Sequence, residues 1–521
     1  MSSSRSPIVA ALTDPAVYPH AVDRVELVET HISWVFLAGD RVYKVKKPVD
    51  LGFLDFTTLE RRRFFCEEEV RLNRRLTHEV YLGVADLNGV TEFNGRDTIT
   101  FGGPGPTVDV AVVMKRLPHD RMLDELVRQN AAEPGLLEEL GHIVARFHAA
   151  APTGGEIDEL GSLGTMRANW SENFAQTDRL PADVFPAEWR RTLHAWVQAF
   201  MERAAPRFAA RVAAGRIRDC HGDLQAQHVC CIEPIQIFDC IEFNHRFRYG
   251  DVAGEIAFLA MDLDRLGRPD LALRFLNSYL EASGDYDAVP LLDFYRAYRA
   301  FVRGKVLSFQ IDQRPETATK ARDRFALAVR YTERRDRPRL LITSGVIGSG
   351  KSTVARQVAA RLGAIVVRTD AVRKRLAGLA LNERREAGFG EGLYRPEMAE
   401  RTYAEAMSAA TKILDAGWPV IVDGAFSSVA QRRLAREAAL RASAPFAVLW
   451  CDAPDSMLAE RLRRRAQDPG EVSDAGVALL AQHRAHYEPP DREPNVIRID
   501  TTAATDRAAA AALDALGRRA S

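Results

Sequence analysis

The sequence predicts a multidomain α/β protein, in which a bilobal α+β domain at 1–335 precedes an α/β/α domain with a parallel sheet at 336–521. Three observations support this prediction. A chain of 521 residues is too long for one hydrophobic core. Its first half has β-rich runs followed by long helical stretches, whereas its second half alternates apolar strands with helices. Between them, ERRDRPR at 333–339 is charged, contains Pro and has little to bury, so we place the boundary there.

The first half opens with two predicted β-hairpins and a helix between them. Residues 33–49 form two β-rich runs around the turn signal AGD, and GGPGP supplies the turn of a second hairpin at 98–117. The segment 61–76 has helical periodicity. Its predicted core face carries Phe65, Glu69, Leu72 and Leu76. Residues 122–218 are predicted to be mostly helical, and a third hairpin, VCCI-EP-IQIFD, ends at residue 239.

The second half is predicted to form a parallel sheet that helices cover on both faces, because apolar strand-like runs alternate with helical segments. The predicted strands are RLLITS at 339–344, the run at 364–368, VIVDG at 420–424, FAVLWCDAP at 446–454 and NVIRID at 495–500. An Ala-rich segment at 507–517 is expected to be the last helix.

The composition argues against several classes of function. Lys plus Arg equals Asp plus Glu at 71 each, so no net field draws the protein to nucleic acid or an anionic membrane. The N-terminal segment lacks the apolar core of a signal peptide, and no apolar run has transmembrane length. Six cysteines without a CxxC pair are typical of reduced thiols, so we expect a cytoplasmic protein. The oligomeric state stays open.

A candidate phosphotransfer site lies in the first half. Phosphoryl transfer needs a base for the attacking hydroxyl, metal ligands, and cations on the nucleotide phosphates. HGDLQAQHV at 221–229 offers Asp223 as the base, and IFD ends a predicted strand with Asp239, suited to hold a metal. Upstream, Lys44 lies on a predicted strand. Glu69, on the core face of the next helix, needs a cationic partner because a buried carboxylate is costly when unpaired.

The order of lysine strand, glutamate helix, HGDL loop and IFDCIEF strand resembles the aminoglycoside phosphotransferase family of protein-kinase-like folds. The resemblance implies Asp223 as the catalytic base and Asp239 as the principal Mg²⁺ ligand. It also implies that Lys44 contacts the nucleotide phosphates and that Glu69 is its partner. Lys46, on the same predicted strand, stays an alternative to Lys44.

Three positions depart from that family's pattern. ETHIS at 29–33 replaces a glycine-rich loop between the first strands, and Glu255 stands where the family has Asp. His228 occupies the position of an Asn metal ligand. Neutral imidazole is a poorer ligand for Mg²⁺ than an amide oxygen and suits Mn²⁺ or Zn²⁺ better. His228 therefore indicates either a working kinase that tolerates Mn²⁺, which we expect, or a folded but inactive one.

A complete phosphate-binding loop, GVIGSGKST at 345–353, opens the second half. It follows a predicted strand and precedes a predicted helix, where backbone N–H groups cradle phosphates. Lys351 is expected to reach the β- and γ-phosphates, and the Ser352 hydroxyl to coordinate Mg²⁺. The expected nucleotide-binding residues are Gly345, Gly348, Ser349, Gly350, Lys351, Ser352 and Thr353.

Charged side chains follow the next predicted strands, at the edge of the sheet where ligands bind. Asp370 is expected to act as a catalytic base, and Arg373 to bind an anionic substrate or stabilise transition-state charge. Asp423 ends the strand VIVDG and is suited to hold the water shell of Mg²⁺. Arg461 and Arg465 share a helical face and are predicted to contact the nucleotide, with a solvated helix face as the alternative.

The second half resembles P-loop kinases such as gluconate-kinase-like enzymes, polynucleotide 5′-kinases and zeta-toxin-like kinases. Together with GFLDF at 52–56 and CIEFN at 240–244, the tandem order is similar to bacterial proteins that fuse an aminoglycoside-phosphotransferase-like domain to an ATP-binding P-loop domain. The resemblance implies ATP and Mg²⁺ as cofactors, and His228 makes Mn²⁺ an alternative at the N-terminal site.

The function that these motifs predict is a bifunctional ATP-dependent kinase that phosphorylates hydroxyl groups of small molecules, sugar-like or aminoglycoside-like. Two other classes stay open: a nucleotide-binding regulatory protein with a degenerate kinase lobe, and a polynucleotide 5′-hydroxyl kinase. Net neutrality and the lack of a basic stripe with interleaved aromatic residues argue against the last.

Overall fold

The computed structural model describes residues 6–93, 96–103, 105–333, 338–383, 392–465 and 480–518, without the side chains of 90–93, 96–97, 465, 505 and 518. The predicted domain boundary at 335/336 lies outside the described residues. The chain divides into two compact units. The first comprises Met1–Ala132, Ala150–Asn169 and Arg203–Asp262, and the second comprises Glu133–Ala149, Trp170–Glu202 and Leu263–Ser521. Helices that precede the P-loop therefore belong to the same compact unit as the P-loop itself.

An antiparallel sheet dominates the start of the first unit. In the described part of the chain its strand order is β1-β2-β3-β6-β4-β5. The strands are β1 (Val25–Glu29), β2 (Ser33–Ala38), β3 (Arg41–Lys46), β4 (Tyr81–Phe93), β5 (Arg96–Phe101) and β6 (Thr107–Lys115). β2 and β3 form the predicted hairpin, with Val35 opposite Lys44.

The hairpin predicted at 98–117 is wrong. β5 and β6 are not paired with each other, because β4 pairs with both and lies between them in the sheet. The other edge of β6 pairs with β3. β4 was not predicted from the sequence pattern, and its pairing partners determine where β5 and β6 lie.

The predicted helix at 61–76 is confirmed as α2 (Leu59–Asn73). Thr58 caps its N-terminus, since the Thr58 side chain accepts a hydrogen bond from the backbone N–H of Arg61. Cys66 and Val70 of α2 pack against apolar side chains of β4 and β6. The same side of the helix carries the fully buried Glu69, which fixes that carboxylate beside the sheet.

Mostly helical segments follow, as predicted. The helices are α1 (Pro7–Leu12) before the sheet, and after it α3 (Leu123–Arg128), α4 (Pro134–Ala150), α5 (Glu156–Leu160), α6 (Leu163–Thr177), α7 (Ala187–Ala213), α8 (His245–Arg248), α9 (Val252–Arg265), α10 (Pro269–Ser283), α11 (Leu292–Ser308) and α12 (Thr317–Arg330). Short strands interrupt them: β7 (Ile217–Asp219), β8 (Val229–Cys230), β9 (Gln236–Ile237) and β10 (Tyr249–Asp251). β8 and β9 pair as the predicted third hairpin, although each strand is shorter than expected.

A parallel sheet forms the core around the P-loop. Its order within the described residues is β12-β13-β11-β14-β15, and all its pairings are parallel. The strands are β11 (Leu340–Ser344), β12 (Ile365–Arg368), β13 (Val420–Asp423), β14 (Phe446–Asp452) and β15 (Val496–Asp500). These are the five strands that the sequence predicted. Because the strands are parallel, their carboxyl ends meet at one edge of the sheet.

Helices flank this sheet. They are α13 (Lys351–Leu362), α14 (Thr369–Leu376), α15 (Pro396–Asp415), α16 (Val429–Arg441), α17 (Asp455–Arg465), α18 (Leu480–Ala485) and α19 (Thr505–Arg518). α13 and α19 bury apolar side chains in one core with the sheet, and α15 packs against β12 and β13. α19 confirms the predicted last helix. Of the helices in the described ranges, none combines the length and apolar character that crossing a bilayer requires.

Candidate phosphotransfer sites

Two lysines of β3 converge on one carboxylate of α2. Lys44 Nζ donates to Glu69 Oε1 at 2.9 Å, and Lys46 Nζ donates to Glu69 Oε2 at 2.7 Å. Lys44 also donates to Asp239 Oδ1 at 2.8 Å, and Lys46 pairs with Glu242. The lysines point to one face of β3 because they are two residues apart along a strand. The side chain of Lys46 is 0% exposed, whereas that of Lys44 is 13% exposed.

Pairing holds most of these groups in their charged forms although burial opposes charge. At Glu69, burial raises the pKa, but the two lysines outweigh it and the pKa lies below its usual range. At Asp239, partial burial is likewise outweighed by Lys44 and His228, and the pKa is held well below its usual range. At Glu242, burial dominates and raises the pKa despite Lys46. The Glu69 and Asp239 carboxylates thus face the two ammonium groups of Lys44 and Lys46.

The backbone around Asp239 is held in an unusual conformation. Asp239 has a φ of 63°, the left-handed region that non-glycine residues rarely adopt. Its N–H donates to the Tyr81 hydroxyl at 3.3 Å, and the next N–H, that of Cys240, donates to Asn73 Oδ1 at 2.9 Å. The Asn73 amide in turn donates to the backbone carbonyl of Glu69 at 2.8 Å. The end of α2 therefore orients the segment that presents the Asp239 carboxylate.

The Glu255 carboxylate of α9 accepts hydrogen bonds from the backbone of the HGD loop, residues 221–223. The N–H groups of His221 and Gly222 donate to Glu255 Oε1 at 2.9 Å and 2.6 Å. Gly222 has a φ of 88°, and a Cβ there would stand 2.9 Å from the carbonyl oxygen of Phe247. Only glycine fits this turn. Glu255, although it departs from the family's Asp, thus anchors the loop that carries the predicted base.

His228 lies between the predicted base and the predicted metal ligand. Its Nδ1 is 2.9 Å from the backbone carbonyl oxygen of Asp223, so the hydrogen on Nδ1 donates to that oxygen. That Nε2 is 3.5 Å from Asp239 Oδ2 and 3.0 Å from Gln227 Nε2. The Asp223 carboxylate accepts from Gln225 Nε2 at 2.6 Å. The structure thus brings Asp223, His228 and Asp239 together, and the imidazole and carboxylate of the last two form a donor set that fits a divalent cation.

The second site begins at the P-loop, whose glycines have conformations that other residues avoid. Gly345, Gly348 and Gly350 have φ values of 146°, 79° and 81°. A Cβ on Gly345 would stand 2.4 Å from the carbonyl oxygen of Cys451. The loop ends where Lys351 begins α13, and Lys351 Nζ donates to a carbonyl of the loop itself at 2.8 Å. Glycine is therefore required by this loop, and the backbone N–H groups of such a loop at a helix N-terminus suit a phosphate.

A cavity of about 750 Å³ extends from this loop along the carboxyl ends of the strands. Predicted P-loop residues that line it are Gly348, Gly350, Lys351, Ser352 and Thr353. Predicted residues from the later strands and helices that line it are Asp370, Arg373, Asp423 and Arg461. Gly345 and Ser349 do not line it, and Ser349 is fully buried. Most of the residues predicted for this site therefore face one shared space.

Asp370 and Arg373 form an ion pair at the N-terminal turn of α14. The Arg373 guanidinium also lies over the ring of Tyr394, 4.9 Å from its centroid. Burial lowers the pKa of Arg373, but the charge of Asp370 outweighs it and the pKa is raised. Its Nε is buried and has no hydrogen-bond partner among the described residues. This donor is therefore available to a ligand in the cavity.

Asp423 is held at both carboxylate oxygens. The Thr343 hydroxyl donates to Oδ1 at 3.0 Å, and Arg368 Nε lies 3.6 Å from Oδ2. Arg461 donates to the hydroxyl of Thr501 at 3.1 Å, next to the P-loop. The prediction for Arg465 lies outside the described residues, since its side chain is among those left out.

Several residues that line the cavity were not predicted from the sequence: Arg368, Tyr394, Tyr403, Gln431, His483 and Thr501. Arg368 could have been found, because it ends a predicted strand two residues before Asp370. The others lie in segments without a motif, so only the fold brings them to the cavity. Burial, helped by the charge of Lys351, lowers the pKa of His483 to about 4.

Two family models match the chain in tandem. Residues 66–292 match the phosphotransferase enzyme family, and residues 340–490 match an AAA domain. The uncharacterized protein Rv2004c of Mycobacterium tuberculosis is 34% identical over 486 residues, which cover 93% of this chain and 93% of that protein. A shikimate kinase of Rhodopseudomonas palustris is 30% identical over 161 residues, which cover 31% of this chain and 71% of that protein.

Solved structures match each half separately. A choline/ethanolamine kinase family protein from Mesorhizobium loti is 12% identical and covers 63% of this chain and 99% of its own, with a TM-score of 0.38. A gluconokinase from Sinorhizobium meliloti is 23% identical and covers 35% of this chain and 94% of its own, with a TM-score of 0.26.

The fold and the sites define a phosphotransferase with two kinase-type domains, an N-terminal protein-kinase-like domain and a C-terminal P-loop kinase domain. The chain belongs to the two-domain family that includes the Rv2004c protein. The predicted fold class and family resemblance are thereby confirmed.

Proposed function

We propose that the protein is a bifunctional ATP-dependent kinase that phosphorylates hydroxyl groups of small molecules at two separate sites. The single observation that carries this proposal is the cavity beside the P-loop. The nucleotide-binding loop opens into the same space as the Asp370–Arg373 pair, so a nucleotide and an acceptor can meet there. A volume of about 750 Å³ is within the usual range for small-molecule sites.

In the C-terminal site the P-loop glycines and Lys351 hold the phosphates of ATP, and Ser352 with Asp423 would hold Mg²⁺. When bound, the metal neutralises charge on the phosphates. Asp370 accepts the proton of the acceptor hydroxyl. The unpartnered Nε of Arg373 supports an acceptor that carries a carboxylate or phosphate near that hydroxyl. Among the predicted substrates, this favours an anionic sugar-like compound at this site over a cationic aminoglycoside.

In the N-terminal site Asp223 orients the acceptor hydroxyl and accepts its proton. Asp239 and His228 would hold the divalent cation, with Mn²⁺ as an alternative to Mg²⁺ because Nε2 is a ligand. Lys44 contacts the nucleotide phosphates rather than Lys46. Lys46 has no exposed surface and is paired with two buried carboxylates, whereas Lys44 is partly exposed.

The experiment that tests this function is a mass-spectrometric screen of hydroxylated metabolites with ATP and Mg²⁺. We expect products that gain one or two phosphates. Asp223→Asn should abolish one phosphorylation and Lys351→Ala the other, and the double variant should abolish both.

Two outcomes would contradict the two-site proposal. If a folded Lys351→Ala protein loses every phosphorylation, the P-loop half gates a single catalytic site and acts as a regulatory switch. If ATP consumption does not rise with any hydroxyl acceptor, the protein is a nucleotide-binding regulator and not a small-molecule kinase.

A further inference from the structure

A helix that precedes the P-loop domain covers one edge of its parallel sheet. β12 is an edge strand within the described residues, and Asn277 of α10 bonds to its backbone like a neighbouring strand. The N–H of Val366 donates to Asn277 Oδ1 at 2.8 Å, and Asn277 Nδ2 donates to the carbonyl of Ala364 at 3.2 Å. α10 lies within the segment that matches the phosphotransferase enzyme family. An element of that family domain is thus part of the structure around the P-loop.

The same helix reaches the cavity through a second contact. Arg368 Nη1 donates to Glu281 Oε1 of α10 at 2.8 Å, and Arg368 Nε lies 3.6 Å from Asp423 Oδ2. All three side chains are largely buried. Arg368 therefore contacts both a carboxylate of α10 and the acid at the end of β13.

Removing the charge of Glu281 would change this balance in a definite direction. The Arg368 guanidinium would then be drawn to Asp423, because an ion pair in a poorly solvated site strengthens as the charges approach. A carboxylate in a close pair with Arg is less available as a ligand for a cation. Groups that orient a metal site from outside commonly change metal affinity by roughly 10- to 100-fold.

We propose that Glu281 is a positioning residue for the C-terminal nucleotide site. Glu281 restrains Arg368 so that Asp423 stays available to the Mg²⁺ that accompanies ATP. The inference rests on the proposed function, since it takes Asp423 as the acid of that site. It adds that a helix of the phosphotransferase domain helps to build the active centre of the P-loop domain.

The test is calorimetric binding of a non-hydrolysable ATP analogue to the full chain over a series of Mg²⁺ concentrations. Binding that disappears in Lys351→Ala is assigned to the C-terminal site. In Glu281→Gln we expect the Mg²⁺ concentration for half-maximal Lys351-dependent binding to rise roughly tenfold. Binding without Mg²⁺ should stay unchanged. Glu281→Asp keeps the negative charge. Its Lys351-dependent binding should therefore need nearly the same Mg²⁺ concentration as that of the unmodified protein.

Two controls distinguish positioning from general stabilisation. Asn277→Ala removes the bonds to the edge of β12 without touching Arg368, so it should lower thermal stability and leave the Mg²⁺ dependence unchanged. Glu138→Gln breaks another ion pair of α10, the partly buried pair between Arg274 of α10 and Glu138 of α4, which are 2.8 Å apart. This variant should also leave the Mg²⁺ dependence unchanged.

The inference is overturned if Glu281→Gln binds with the Mg²⁺ dependence of the unmodified protein, or if Asn277→Ala shifts that dependence equally. If the unmodified protein shows no Lys351-dependent binding at all, the proposed function of this site fails, and the role of Glu281 fails with it.

Discussion

Replacing Lys46 by Met tests how the buried charge network of the N-terminal site is balanced. The substitution removes one of the two ammonium groups that neutralise Glu69 and Glu242, while the Met side chain still fills the space of the aliphatic stem. Removing one partner of a buried ion pair typically costs about 3–5 kcal/mol. The variant can avoid part of this cost by protonating Glu242. Protonation costs about 1.4 kcal/mol for each pH unit above an ordinary pKa of about 4.3, and this sets an upper limit to the loss. The expected loss at pH 7 is therefore about 3–4 kcal/mol.

The loss should depend on pH with a definite sign. Glu242 already has a raised pKa in the folded protein because of burial, and without Lys46 it must be protonated to stay buried. A raised folded-state pKa gives stability that is complete below the unfolded pKa and is lost as the pH rises. The deficit of the variant should therefore shrink to about 1 kcal/mol at pH 5.

The measurement is hydrogen exchange of the amides of α2 and β3 at pH 5, 6 and 7, corrected for intrinsic exchange rates. Adding Glu242→Gln to Lys46→Met should recover most of the lost stability at pH 7, because no buried carboxylate then lacks its partner. As a control, Arg62→Met breaks the buried pair between Arg62 of α2 and Asp109 of β6. Adding Glu242→Gln to that variant should not recover the stability it loses. A deficit that is the same at all three pH values, or a double variant no more stable than the single one, would refute this reasoning.

Three further outcomes are expected. Asp223→Asn should slow the N-terminal transfer about 100- to 10,000-fold in a product assay while MgATP affinity stays constant, because the base acts on the acceptor; unchanged phosphorylation would exclude Asp223 as the base. His228→Asn should shift the metal preference of nucleotide binding from Mn²⁺ toward Mg²⁺, and an unchanged metal profile would show that His228 is not a ligand. Gly345→Ala should abolish nucleotide binding at the P-loop, since its Cβ would stand 2.4 Å from the Cys451 carbonyl oxygen. Gly517→Ala in α19, where a Cβ meets nothing within 4 Å, is the matched control, and equal effects of both would contradict a steric cause.

The sequence by itself determined the parts of the protein whose chemistry is local. The P-loop could be predicted because its glycines, Lys351 and Ser352 must follow one another along the chain to surround a phosphate. Three of the five parallel strands, β11, β12 and β13, could be predicted because each is a continuous run of residues buried on both faces. The Lys44–Glu69 pair could be predicted because a carboxylate on an apolar helix face needs a partner.

Only the tertiary structure decided which distant segments meet. Strand pairing is not local, so the insertion of β4 between β5 and β6 could not be read from a turn signal such as GGPGP. Lys46 and Glu242 pair across 196 positions of sequence, and Glu281 reaches Arg368 across 87. No spacing rule spans such distances. The packing of apolar helices and strands brings these charged groups together. Because it also buries them, they must pair with one another.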